Sequence, residues 1–123
     1  MGPITEQRQV PGPVVYGYLL LTAACRARRA ALSRALAEYC EQHELTLAAV
    51  FTDVGDDTGQ APGFTGLLDV LTAKPSYGVV IPSRAHLGHG RAAGSRLAVI
   101  AGTSRRLMLI RGKPSTVGVR AAR

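Results

Sequence analysis

Four short apolar stretches, each followed by enough chain to make a helix before the next, leave a sequence of this size few folds to choose from. "VVYGYLLLT" (14–22), "LTLAAVFTD" (45–53), "YGVVIPS" (77–83) and "RRLMLIRG" (105–112) read as strands. The first is β-branched and aromatic at its start and apolar throughout, the pattern of a strand buried on both faces. Pro82 stops the third. Between the strands the period changes. From Arg26 to His43, the residues Leu32, Leu36, Tyr39 and Cys40 follow i, i+4, i+7, i+8, while Arg29, Ser33, Glu38 and Glu41 fall elsewhere. That spacing predicts an amphipathic helix. Phe64, Leu67, Leu68 and Leu71 predict a second over 63–73, closed by Lys74-Pro75. A third over 91–101 is expected to bury Leu97, Ile100 and Ala101, with Gly102 as its C-cap. The order β-α-β-α-β-α-β with helix-length crossovers implies an α/β three-layer sandwich. Its sheet is mainly parallel, of about four to five strands, with helices on both faces.

At 123 residues the chain can bury one core without disulfides or metals. With 5% aromatics and no Trp, that core must be built from Leu, Val, Ile and Ala. Residues 1–13 carry three prolines and no periodicity, which suggests a flexible N-terminal arm. Residues 14–111 form the domain, and 112–123 a basic tail without a core-forming pattern. "VGDDTGQAPG" (54–63) is a turn-rich loop.

Charge is divided unevenly along the chain. Residues 1–69 sum to −3 and residues 70–123, which contain no acid, to +10. Such asymmetry favours a polyanionic partner, nucleic acid first and anionic membrane second, against the simpler reading of a solvated basic surface. Cys25 and Cys40 would lie roughly 20 Å apart on one helix, too far for a disulfide, so free thiols in a reducing cytoplasm are expected. "VVYGYLLLTAAC" superficially looks like a signal segment ending in a lipoprotein cysteine. No basic segment precedes it, and Tyr16, Gly17 and Tyr18 interrupt a run too short to span a bilayer.

In an open parallel sheet, ligands sit at the carboxyl ends of the strands. Three segments converge there: the turn after Thr22, the loop after Asp53, and "SRAHLGHG" (83–90) after Ile81. In order and spacing, "YGYLLLT", "LAEYCEQHELTLAAVFTDVGDDTG", "GFTGLLDVL" and "YGVVIPSRAHLGHG" resemble the catalytic domain of serine recombinases, the resolvases and invertases. The similarity spans roughly residues 14–111 and implies a resolvase-like fold. The family pattern places a Tyr, an Arg and the nucleophilic Ser on the first strand and its turn. An Asp follows the second strand, then a Ser-Gly and an Arg in the next loop, and an Asp-Arg-Leu-Gly-Arg run after the third. Carried over by position, Tyr18 matches the Tyr, Asp53 the acid, and Thr58-Gly59 the Ser-Gly. Leu20 and Ala61 stand where arginines belong, and Thr22 where the Ser belongs. Ala85, His86 and His89 replace the Asp and two Arg around a retained Leu87-Gly88.

The family reaction attacks a DNA phosphodiester with the Ser hydroxyl, which requires an activated nucleophile and fixed cations around the phosphorus. Arginine suits that role because it is always charged and grips phosphate oxygens in a fork. Losing one preorganised donor costs about 3 kcal/mol, so four missing guanidinium groups imply a centre without cleavage activity. The resemblance therefore implies a pseudoenzyme kept as a binding or assembly module. Arg84 is the one cation expected near the emptied centre. For DNA-backbone contact the candidates are Arg84, Arg91, Arg96, Arg105, Arg106, Arg111 and Lys113. The alternatives are a homodimerising or protein-docking module, and residual strand transfer by Thr22. Active family members continue into a long pairing helix and a helix-turn-helix, so recognition of a specific DNA site by that route is not expected. Simpler readings stand beside these. His86 and His89 are two solvated loop histidines and not metal ligands, since a site needs three or four donors. Tyr18 packs under the sheet's edge, Cys40 belongs to the core, and Asp56 and Asp57 sit in a solvated loop. No cofactor, metal, small-molecule substrate or membrane is implied.

Overall fold

The computed structural model describes residues 12–23, 25–55 and 61–111. Strand β1 (Val14–Leu21) leads through a 3₁₀ turn (Arg26–Arg28) into helix α1 (Arg29–Gln42). Strand β2 (Thr46–Val54), helix α2 (Pro62–Ala73) and strand β3 (Gly78–Ile81) follow. A second 3₁₀ turn (Arg84–Leu87), helix α3 (Gly90–Gly102) and strand β4 (Arg106–Leu109) complete the fold. The four strands form one sheet in the order β2-β1-β3-β4, and every neighbouring pair is parallel. No described helix is long and apolar enough to cross a membrane. Most of the expected arm (1–11), the tail (112–123, with Lys113) and the segment holding Asp56, Asp57, Thr58 and Gly59 lie outside the described residues. The last two arm residues are not loose. The Pro13 carbonyl accepts from Thr46 N–H at 2.8 Å, and the Gly12 carbonyl from the Thr46 hydroxyl at 3.1 Å.

Strand β1 is buried along almost its whole length, so its alternating side chains feed two cores. Val15, Leu19 and Leu21 point to one face, where they meet Leu32, Leu36 and Cys40 of α1 and Val80 of β3. Tyr16, Tyr18 and Leu20 point to the other, against Phe64, Leu67 and Leu71 of α2 and Ile100 of α3. One helix thus covers one face and two helices the other. Gly17 is required where α1 comes closest. A Cβ there would stand 2.9 Å from Leu36 Cδ1 and 3.2 Å from Val50 Cγ2.

Some boundaries differ from the sequence reading for identifiable reasons. β3 and β4 are shorter than expected, although Ile81 and Pro82 carbonyls still accept from Ile110 and Arg111 N–H beyond their ends. In α3 only Ile100 is fully buried; Leu97 is half-buried and Ala101 exposed. Gly102 is the last helical residue and not the cap. The turn that follows puts Ser104 in the left-handed region, at φ 63°. Tyr18 is not at an edge, since β1 lies between β2 and β3. Cys25 and Cys40 are both free thiols.

Leu36 is fully buried and fills the space above Gly17. Replacing it with Ala should cost about 3 kcal/mol, the usual cost of a large-to-small core change, seen as a lower urea midpoint at unchanged slope.

Candidate functional site

The strand order creates a gap in the sheet. From β1 the chain crosses to β2 on one side, whereas β3 lies on the other, so the connections diverge at the carboxyl ends of β1 and β3. Pairing between these two strands runs only from Val15 to Gly17 of β1. Beyond it, the N–H of Leu20 has no strand to face and donates instead to His86 Nδ1, at 3.0 Å. The 3₁₀ turn after β3 is thereby pinned to β1, and a cavity of about 240 Å³ opens beside it. Leu20, Thr22 and Cys25 line it from the end of β1, and Arg28 and Leu32 from the start of the α1 segment. Ser83, Ala85, His86 and His89 line it from the segment after β3, and Arg111 from the segment after β4.

The electrostatics of this cavity differ from the sequence expectation. Arg28 and Arg111 contribute two permanent positive charges, and no carboxylate is among the described lining residues. Arg84, expected to be the nearby cation, instead lines a neighbouring groove with Leu87, Gly88, Gly90 and Leu97. Arg28 was missed because it lies in no motif; it ends the 3₁₀ turn before α1. Its proximity to Thr22 depends on how the turn after β1 folds. The two histidines also separate. His89 is exposed, but His86 is buried, not solvated. Burial pushes the His86 pKa below its ordinary value, and the Arg28 charge pushes it further the same way. With Nδ1 accepting from Leu20, the neutral ring carries its proton on Nε2, where it can donate but not accept. Thr22 Oγ1 has Cys25 Sγ as its neighbour at 3.6 Å, and that thiol lies 3.6 Å from the Leu20 carbonyl.

Asp53 does not line the cavity. Its carboxylate turns to the amino end of α2, where Oδ1 accepts from Gly63 N–H at 2.7 Å and Oδ2 from Phe64 N–H at 2.9 Å. The Tyr18 hydroxyl donates to the same Oδ2 at 2.5 Å. Ala61, at the N-cap position, has no side chain able to cap, so the carboxylate from β2 performs that task. Tyr18 and Asp53 are thus one buried structural unit joining β1, β2 and α2. Among the described residues no group of three His, Cys, Asp or Glu is placed to hold a metal ion.

No protein-family model matches this sequence, and no curated protein sequence matches it significantly. Its backbone has clear counterparts among solved structures. The C-terminal catalytic domain of ISC1926 TnpA, an IS607-like serine recombinase, superposes with a TM-score of 0.69 at 12% identity, over 81% of this chain and 71% of that one. The N-terminal catalytic domain of TP901-1 integrase gives 0.66 at 16% identity, covering 79% and 76%. The first open reading frame of transposon ISC1904 from Sulfolobus solfataricus P2 gives 0.62 at 16% identity, covering 87% and 73%. The fold is that of a serine recombinase catalytic domain. Within that recombinase fold, the positions singled out by the resemblance occupy two places. Leu20, Thr22, Ala85, His86 and His89 meet at the cavity, whereas Tyr18, Asp53 and Ala61 meet at the start of α2.

The basic residues of the recombinase fold's second half do not gather on one surface. Arg84 and Arg91 are exposed near the carboxyl ends of the strands, as is Arg111. Arg105 and Arg106 lie at the opposite end, where β4 begins. Two of the candidates are engaged by the protein itself. Arg96 lies over the Phe64 ring at 5.4 Å and donates to the Leu87 carbonyl at 3.3 Å. Arg105 Nη2 donates to the carbonyls of Leu71 and Lys74, at 3.2 and 3.4 Å, and so closes the C-terminal end of α2.

Two outcomes follow from this geometry. Asp53→Ala strands one buried and one part-buried N–H group and a buried hydroxyl, and should cost about 3 kcal/mol in denaturant unfolding, against about 1 kcal/mol for Tyr18→Phe. His86 is neutral in the fold and, with its lowered pKa, takes up a proton less readily than in the unfolded chain. Its contribution to stability is therefore complete above pH of about 6.5 and is lost as pH falls through the folded-state pKa. His86→Asn keeps an acceptor for Leu20 N–H without titrating. It should flatten the pH dependence of the melting temperature below pH of about 6.5.

Proposed function

We propose that this recombinase-fold domain binds the phosphate backbone of DNA without sequence preference and does not cleave it. The reading rests on one observation: the cavity at the β1/β3 gap has two arginines, one neutral buried histidine and no carboxylate among its described lining residues. Arginine forks and an imidazole Nε2–H suit phosphate oxygens. Chemistry asks for more. Leu20, Ala61, His86 and His89 stand where the recombinase pattern has guanidinium groups, and each missing preorganised donor costs about 3 kcal/mol at the transition state. Two relocated arginines do not restore four. Thr22 is also poorly served as a nucleophile. Its hydroxyl neighbours a thiol, and the lone pair of His86 that could take its proton is committed to Leu20.

A protein-docking role has less support. Only three large apolar residues are exposed among the described ones: Val54 in β2, Tyr77 just before β3, and Val99 in α3.

Fluorescence anisotropy with a labelled duplex should show binding that weakens steeply with salt, each neutralised phosphate adding about 0.9 to the slope of log K against log salt. Arg28→Ala with Arg111→Ala should lower that slope by about two and weaken binding at least tenfold at low salt. Supercoiled plasmid should stay intact, with no covalent protein–DNA adduct after denaturation. Absence of duplex binding at low salt removes the first half of this reading, and a Thr22-dependent adduct removes the second.

A further inference from the structure

The residues around the cavity at the β1/β3 gap differ in depth. Leu20 and His86 are 6% and 7% exposed and form its floor, whereas Arg28, His89 and Arg111 are exposed and form its rim. Both arginines are held at the rim by their backbones. Arg28 N–H donates to the Cys25 carbonyl at 2.9 Å, and Arg111 N–H to the Pro82 carbonyl at 2.9 Å. Cys25 and Pro82 line the same cavity. Unlike those of Arg96 and Arg105, the guanidinium groups of Arg28 and Arg111 make no hydrogen bond or ion pair with the described residues. At the floor, His86 commits Nδ1 to Leu20 N–H, and its Nε2–H has no partner among the described residues. Burial and then the Arg28 charge lower the pKa of this ring, so the floor offers a donor without a charge of its own. Thr22 adds a half-buried hydroxyl.

This set of groups matches one kind of anion better than others. Two unpaired permanent charges balance a dianion. A phosphate monoester carries a charge of about −1.5 to −2 at pH 7, whereas each internal phosphodiester carries a single one. The monoester also turns three free oxygens toward converging donors, and the diester only two. No carboxylate among the described lining residues opposes either. The walls contributed by Leu20, Leu32, Pro82 and Ala85 are apolar, and in such surroundings a charge match counts for more than in water. Access points the same way. A phosphate at a chain end can pass the rim and reach the His86 N–H with its chain trailing behind. An internal phosphate has to bring its strand in and out across both arginines, so it meets the rim and not the floor.

Resting on the reading of this cavity as a phosphate site, we propose that it is selective for a phosphate monoester, with Arg28 and Arg111 clasping the dianion and His86 Nε2–H and the Thr22 hydroxyl donating to its inner oxygens. Two sources carry that group, a 5′-phosphorylated nucleic-acid end and a free nucleoside monophosphate.

The test compares two short duplexes of one sequence, internally labelled, that differ only in 5′-phosphate or 5′-hydroxyl ends. Titrated with the full chain at low salt in an anisotropy assay, the phosphorylated duplex should bind about tenfold more tightly, because its added charge meets two cations. Arg28→Gln and Arg111→Gln should each reduce that ratio to about threefold, and the double variant should abolish it. Neither substitution removes a side-chain contact of the described fold, so a changed ratio reports on the site. Thymidine 5′-monophosphate alone should shift the His86 ring resonances, and thymidine should not. Displacement of the phosphorylated duplex by equimolar thymidine 5′-monophosphate assigns the free nucleotide as the source. A requirement for large excess assigns the nucleic-acid end, and either result supports the monoester site. Binding of the phosphorylated duplex without any of the hydroxyl-ended one also supports it, while removing the backbone reading. Equal, salt-sensitive binding of both duplexes overturns the selectivity and leaves backbone binding standing. A preference that survives the double variant, or His86 resonances unmoved by the monophosphate, likewise overturns the proposal.

Discussion

Strand β1 can lie at the centre of the molecule only because each polar group at its carboxyl half has found one partner. The hydroxyl of Tyr18 is given to Asp53, and the N–H of Leu20 to His86. Leaving either unpaired in a dry interior would cost about 1–3 kcal/mol. These two bonds also set the geometry of everything nearby. The first brings β2 and the amino end of α2 to β1. The second holds the turn after β3 against β1 where the two strands part, and so keeps the cavity's walls in place.

That division of labour changes what Asp53 and His86 say about the site. A carboxylate that caps a helix, as Asp53 does, is retained for folding whether or not any reaction takes place. A histidine that completes a sheet edge is likewise a structural residue first. Neither is evidence of chemistry. The charged groups that line the cavity are Arg28 and Arg111, with Thr22 and His89 among the other lining residues. The pair of arginines lining one cleft is the arrangement on which the proposed binding of a polyanion rests. Binding needs only proximity, whereas catalysis needs donors fixed where charge develops.

Much of the architecture was legible in the residues. The alternation between strands and helix-length crossovers, the double-sided burial of β1, and the apolar stripe of α1 all follow from periodicities of two and 3.6. The parallel sheet with helices on both faces follows from those. Ends of elements were less legible, as in α3, because burial there depends on how far the sheet extends beneath it. The resemblance to serine recombinases put Thr22, Asp53 and His86 around one pocket, and the structure separates Asp53 from the other two. Asp53 and Tyr18 face α2, away from Thr22, and no spacing in the chain says which way a side chain at a strand's end will turn.

By itself, the sequence determined the order of the elements and the two core faces, since these depend on residue type and local period alone. Only the tertiary structure decided that Arg28 and Arg111 share a cavity and that Arg96 and Arg105 are occupied by carbonyls of the fold. Those contacts join residues that lie far apart along the chain. They depend on strand order and register, which no single segment encodes.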